Sequence, residues 1–142
     1  MEDKKLIEEA KKYRGRAYVP YSNFKVGAAL LADNGKVYGG CNVENSSYGL
    51  TICAERAAIA GAVAEGMKKI EKIAIVTSGK EFSRPCGACR QVIIEFGRDA
   101  EVLCCDTEDN CDRCTAAELL PHYDISNVFR DNLKKLQKEN LN

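Results

Sequence analysis

The sequence predicts an α/β protein: one domain over residues 1–142, a three-layer α/β/α sandwich with a mixed central sheet. Three observations carry this expectation. Asn34-Gly35 lies between two strand-like runs, a strong hairpin signal. Further along, apolar strand-like runs alternate with helical ones, as strand–helix–strand units require. The chain has 142 residues, 45% of them hydrophobic, enough for one proper core and not the composition of a disordered chain.

Each element has a local reason. Residues 3–14 set Leu6, Ile7, Ala10 and Tyr13 on one helical face among charges. The stretch AYVPYSN is extended and turn-like around Pro20. FKVGAALLAD and KVYGGCNV read as the hairpin strands, and ENSSYGL, residues 44–50, as a polar loop. A helix is expected over about residues 52–65, stopping near Gly66, and KIAIVTS, residues 72–78, as a buried strand. The loop GKEFSRP leads into a helix at 86–96 closed by Gly97, and AEVLCCDT is the next strand. TAAE, residues 115–118, is a capping box before Pro121. Residues 125–140 read as an amphipathic helix with Ile125, Val128, Phe129, Leu133 and Leu136 inward. No repeat, low-complexity tract or linker interrupts this order.

Composition excludes several function classes. Twenty-one basic and 21 acidic residues cancel, so there is no general attraction to nucleic acid or membrane. No apolar run approaches the roughly 20 residues that span a bilayer. The charged start, MEDKKLIEEAKKYRG, does not read as a signal peptide, and a cytoplasmic location is expected. Eight cysteines in such a chain point to metal binding or catalysis rather than a disulfide framework, with buried free thiols as the plain alternative. The single histidine, His122, excludes a site needing two imidazoles, and a general base is expected to be a carboxylate.

Two helix starts carry the chemistry. Cys86 and Cys89 form a CxxC at helical spacing behind Pro85, so both thiols can reach one point. A helix N-terminus carries partial positive charge and lowers a thiol's pKa, preparing the thiolates that bind zinc. By itself the CxxC could be a redox pair, half of a structural zinc site or part of a catalytic one. The intervening loop with Arg84 and Pro85 weakens the redox reading, which needs a strand just before the motif. Cys53 opens the other helix and supplies a third ligand. Three protein ligands leave zinc one open position, where a bound water becomes acidic at about pH 7. Glu55, two residues on, can take that water's proton without being a ligand. Zinc with three thiolates carries surplus negative charge, and Arg56 is expected to compensate it by hydrogen-bonding sulfur. The plain alternatives are a solvated first-turn glutamate and a surface arginine.

CAER and, after a gap, PCGACRQV resemble the zinc-dependent cytidine deaminases in their small three-cysteine form. The likeness extends from YVPYSNFKVGAAL through GCNVENSSYGL to AAELLP. It implies a cytidine deaminase-like fold, one Zn²⁺ per chain, and hydrolytic deamination of cytidine and deoxycytidine to the uridines with release of ammonia, as in pyrimidine salvage. It implies a zinc-activated attack on C4, with Glu55 moving the water's proton to N3 and the departing ammonia. It also implies that Phe24, Asn42 and Glu44 line the nucleoside pocket, the last two meeting the sugar hydroxyls, and that the backbone around Thr51 and Ala54 meets the base. Small members are homotetramers with sites completed by neighbouring subunits. The family commonly has an aromatic three residues after LLP; Asp124 stands there, and Tyr123 or Phe129 would have to replace it.

Cys41, Cys104, Cys105, Cys111 and Cys114 fall outside this pattern; a second metal site or redox clip from Cys104, Cys105, Cys111 and Cys114 stands against ordinary free core thiols. Three other functions stand beside the nucleoside deaminase. A deaminase of a nucleoside antibiotic such as blasticidin S would give Glu44 less to do. A nucleic-acid editor would need a basic, aromatic-rich stripe. A zinc-stabilised binding module would need a fourth ligand.

Overall fold

The computed structural model describes residues 1–78, 83–123 and 127–140. The elements are α1 (Asp3–Arg14), β1 (Val26–Ala32), β2 (Val37–Cys41), a 3₁₀ turn (Tyr48–Leu50), α2 (Ala54–Ala64), β3 (Ile70–Thr77), α3 (Gly87–Phe96), β4 (Glu101–Cys105), β5 (Cys111–Thr115), α4 (Ala116–Leu119) and α5 (Asn127–Asn140). The sheet order is β2-β1-β3-β4-β5. Among the named strands of the described residues, β3 and β4 run parallel, joined through α3, while β2, β1 and β5 pair antiparallel with their neighbours. The mixed sheet predicted from sequence is therefore present.

Alternation along the strands makes the layers. Leu6 and Ala10 of α1 pack with Ala29, Ala74, Val76 and Leu103 on one face. Residues one position along, Ala28, Leu30, Ile73, Ile75 and Val102, pack on the other face with Ala58, Ile59 and Ala62 of α2 and Ile93 and Ile94 of α3. Small residues let the layers close. A Cβ on Gly40 of β2 would come within 2.5 Å of the Ala58 nitrogen and 2.7 Å of the Ala54 carbonyl. Glycine here seats the first turns of α2 directly on the sheet, which fixes where the tip of that helix lies.

Several expectations are refined. The hairpin turns at Asn34-Gly35, with Gly35 at φ 79°. Gly97 does end α3, but at φ 179°, which is extended backbone. Its need for glycine is space, since a Cβ would lie 2.7 Å from the Ile70 carbonyl. The sequence reading missed β5. Its five residues, CDRCT, hold two charges and no large aliphatic, and edge strands are often of this kind.

The inward face expected for the last helix is corrected: Leu133 and Leu136 are 36% and 53% exposed. Their spacing is helical, yet within one chain they keep water contact. The expectations for Ile125, and for the side chains of Val128 and Phe129, lie outside the described residues.

The outer cysteines divide between the readings the sequence left open. Cys105 and Cys111 face each other across β4 and β5, Cα atoms 4.1 Å apart, and are joined by a disulfide. Cys104 and Cys114 are free thiols. Because β5 is a strand, Cys111 and Cys114 point to opposite faces, so this CxxC cannot converge on a metal as the helical one can.

Candidate active site and metal centre

Cys53 is the N-cap of α2 and Cys86 the N-cap of α3; neither side chain makes a capping hydrogen bond, which leaves both thiols available. Cys89 lies on the first turn of α3, fully buried. The Cys53 and Cys86 sulfurs are 3.8 Å apart. All three sulfurs lie within 4.8 Å of one another, the one such cluster among the described residues. Thiolates at about 2.3 Å from a tetrahedral zinc sit about 3.8 Å from each other, so the donor set fits that ion.

The cluster is electrostatically prepared. The Cys53 pKa falls to about 5: Cys89 hydrogen-bonds its sulfur, and Arg56 and Cys86 add to this against partial burial. Cys89 moves up for the reciprocal reason, its bond to Cys53, together with burial. Arg56 Nη2 donates to Cys53 Sγ at 3.5 Å. Its Nε is buried without a partner among the described residues. Glu55, on the first turn of α2, is only 4% exposed. Burial pushes its carboxyl pKa up, and the Cys53 charge adds to the shift.

Glu55 and the Cys53 and Cys86 thiols border a cavity of about 240 Å³ whose other walls include Phe24, Val26, Asn42, Ala54, Ile75 and Thr77. Thr51, Ser83 and Arg84 also line it. Asn42, 9% exposed, bridges the backbone there: its Oδ1 accepts from Val26 N at 2.9 Å, and its Nδ2 donates to the Phe24 carbonyl at 2.8 Å. One amide hydrogen and one lone pair remain for a ligand. Glu44 lies in an adjoining hollow with Tyr21, Ser22 and Tyr48 that shares Thr51 with the first. Its Oε1 accepts from Tyr21 N and Ser22 N, and its Oε2 accepts from Ser22 Oγ at 2.5 Å. The Ser22 hydroxyl first, then these amides, hold its pKa below the ordinary value.

Every residue selected from the sequence thus falls in or beside one place; Glu44 sits one hollow away. Five lining residues were not singled out as binding residues: the apolar Val26 and Ile75, and the polar Thr77, Ser83 and Arg84. Thr77, 3% exposed, has a hydroxyl with no partner among the described residues. Arg84 donates to Asp112 of β5 at 2.5 Å, and Ser83 precedes it in the cavity lining. Only the polar loop before Pro85 could have signalled the last two. Nothing local marks Thr77, which reads as the end of a buried strand. The Tyr123 hydroxyl donates to Glu95 at 2.9 Å, and its carbonyl accepts from Arg98 at 3.1 Å, so this ring is tied to the chain's own α3 region. Asp124 lies outside the described residues.

Comparison with known proteins bears on this geometry. Residues 1–106 match the model of the cytidine and deoxycytidylate deaminase zinc-binding region. The chain is 48% identical over 122 residues to the cytidine deaminase of Sporosarcina psychrophila, covering 85% of this chain and 90% of that one. It is 48% identical over 118 residues to a probable cytidine deaminase of Dictyostelium discoideum, covering 82% and 80%. The crystal structure of cytidine deaminase from Burkholderia pseudomallei superposes with a TM-score of 0.84 at 48% identity, over 87% of this chain and 100% of that one.

Proposed function

The chain belongs to the cytidine and deoxycytidylate deaminase zinc-binding family, and from that membership and its buried Glu55 we propose that it deaminates cytidine and deoxycytidine hydrolytically, releasing ammonia and the corresponding uridines. Cys53, Cys86 and Cys89 would hold the zinc. When bound, the metal supplies an acidified water for addition at C4 of the pyrimidine.

The remaining work falls to side chains. Glu55 accepts the water's proton and delivers it to N3; it then carries the proton of the new C4 hydroxyl to the amino group, which leaves as ammonia as the C4 carbonyl forms. The burial of Glu55 suits this role, because a carboxylate whose pKa is raised toward the working pH is a stronger base for the water's proton than an ordinary glutamate. Arg56 draws electron density from the Cys53 sulfur, offsetting the surplus charge of three thiolates. Phe24 packs against the nucleoside, and the chain at Thr51 and Ala54 borders the base. Asn42 and Glu44 address the sugar hydroxyls with the hydrogen-bonding capacity their internal bonds leave free. The adjoining hollow at Glu44 provides a place for the sugar beside the place for the base. A ribose-binding carboxylate and relatives named for cytidine favour this substrate over a nucleoside antibiotic.

The same reading places the protein in the cytoplasm, in pyrimidine salvage, as a homotetramer. What supports assembly is the exposed apolar surface next to the site: Tyr18, Tyr48, Leu50 and Ile52 are all exposed. Among the described residues no helix is long and apolar enough to cross a membrane.

The single observation that carries the proposal is Glu55, buried on a cavity wall one residue pair from a three-sulfur cluster. Loss of cytidine absorbance should be measured for wild type and Glu55→Gln. The substitution is expected to lower kcat by at least about 10²-fold with zinc still bound. Equal turnover by the two proteins would overturn the mechanism, and a zinc-loaded wild type inert toward cytidine would overturn the substrate.

A further inference from the structure

The two ligand-bearing helices each carry an arginine one turn from their tips, but the two arginines do different things. Arg56 of α2 touches sulfur. Arg90, the residue after Cys89 on α3, hydrogen-bonds no sulfur among the described residues. Its Nε donates to the Pro85 carbonyl at 2.7 Å and its Nη1 to the Leu119 carbonyl at 3.1 Å. Side chains on a helix lean toward its N-terminus, so residue 90 reaches back over the turn that presents Cys86.

That turn needs an external support. Cys86 is the N-cap of α3, yet its thiol makes no capping bond, so the local fastening a serine or aspartate would give is missing. The peptide before it belongs to Pro85, which has no N–H and offers only its carbonyl. Cys86 is exposed, while Pro85 is buried. Leu119 is the last residue of α4, and a carbonyl at a helix end has no partner of its own within that helix. One rigid, permanently charged guanidinium therefore joins the ligand turn to the end of a helix about thirty residues on, through two charge-assisted bonds.

We propose that Arg90 is a positioning residue for the metal centre: it holds the Pro85–Cys86 turn so that the Cys86 sulfur keeps its place in the cluster. This rests on the reading that Cys53, Cys86 and Cys89 bind zinc. Arg98 is the natural control, because it also ties α3's end to the segment after α4, through the Tyr123 carbonyl, without touching the ligand turn.

The test is zinc affinity of the full-length protein, measured by competition with a chelating dye, with the zinc-free melting midpoint recorded alongside. Arg90→Met is expected to weaken zinc binding about 10- to 100-fold, the usual cost of removing an outer support of a metal ligand. Arg90→Lys keeps the charge but cannot span both carbonyls, so a smaller loss is expected; it carries the test if Arg90→Met does not fold. Arg98→Met should bind zinc as wild type does. Wild-type affinity in both Arg90 variants, or an equal loss in Arg98→Met, overturns the inference while leaving the zinc site standing. A wild-type chain that binds no zinc overturns both.

Discussion

At Thr77 the chain keeps a hydroxyl buried and unpartnered among the described residues. Its neighbour along the same strand face, Ile75, is apolar and lines the same wall. A buried hydroxyl left without a partner costs about 1–3 kcal/mol. Thr77→Val keeps the shape and removes that cost, so the variant is expected to be more stable by about 1 kcal/mol, read as a higher urea midpoint at unchanged slope. A lower midpoint would mean that the hydroxyl has a partner in solution. The neighbouring Asn42 behaves in the opposite sense. Both ends of its amide are engaged with the backbone of residues 24 and 26, so Asn42→Ala should destabilise the protein as well as weaken substrate binding. Glu55 shows how residue identity and position divide the information. Its type and spacing from Cys53 marked it in the sequence, whereas its burial, which tunes the carboxyl, comes from the sheet packed beneath α2.

Among the elements, β5 is the one that local pattern did not reveal, and it holds a disulfide and three ion pairs. The Cys105–Cys111 disulfide closes a loop of six residues' separation. Closing so short a loop contributes about 2 kcal/mol through the unfolded chain. Cys111→Ser is expected to lower stability by about that amount, and reductant should lower the wild-type melting midpoint but not the variant's. If reductant shifts both equally, the link is absent in solution. On the same strand Asp112 meets Arg84 of the cavity lining, and Arg113 meets Glu101 at 2.9 Å and Asp3 of α1. Asp3 also accepts from Lys72 of β3 at 2.5 Å, and this bond, with Arg113, holds its pKa below the ordinary 3.8. Asp33, which accepts from the backbone of Lys68 and then Lys69, is lowered as well. A carboxyl whose folded pKa is depressed stabilises the fold fully above its unfolded value and loses that contribution as pH falls through the folded value. Acid unfolding should therefore sharpen below about pH 3.8, and Asp33→Asn should flatten the decline. A melting midpoint independent of pH between about 5 and 2.5 would contradict it.

For the whole molecule, zinc stoichiometry separates the two CxxC motifs. One zinc per chain is expected in wild type and in the double variant Cys111→Ser, Cys114→Ser, by elemental analysis; two in wild type would mean that the β5 pair binds metal after all. The amino-acid sequence by itself determined the reaction chemistry and the family, because a metal ligand on a helix tip and its acid–base partner are neighbours in the chain. It also determined most of the layers, since hairpin, capping and alternation signals are local. The tertiary structure decided what depends on contact between distant segments. Cys53 and Cys86, 33 residues apart, come within 3.8 Å only because Gly40 seats α2 on the sheet and the crossover through α3 follows β3. The disulfide, the Arg90 bridge and the exposed face of the last helix belong to the same class. Strand register and the meeting of helix ends arise from packing the entire core, and no short window of residues encodes them.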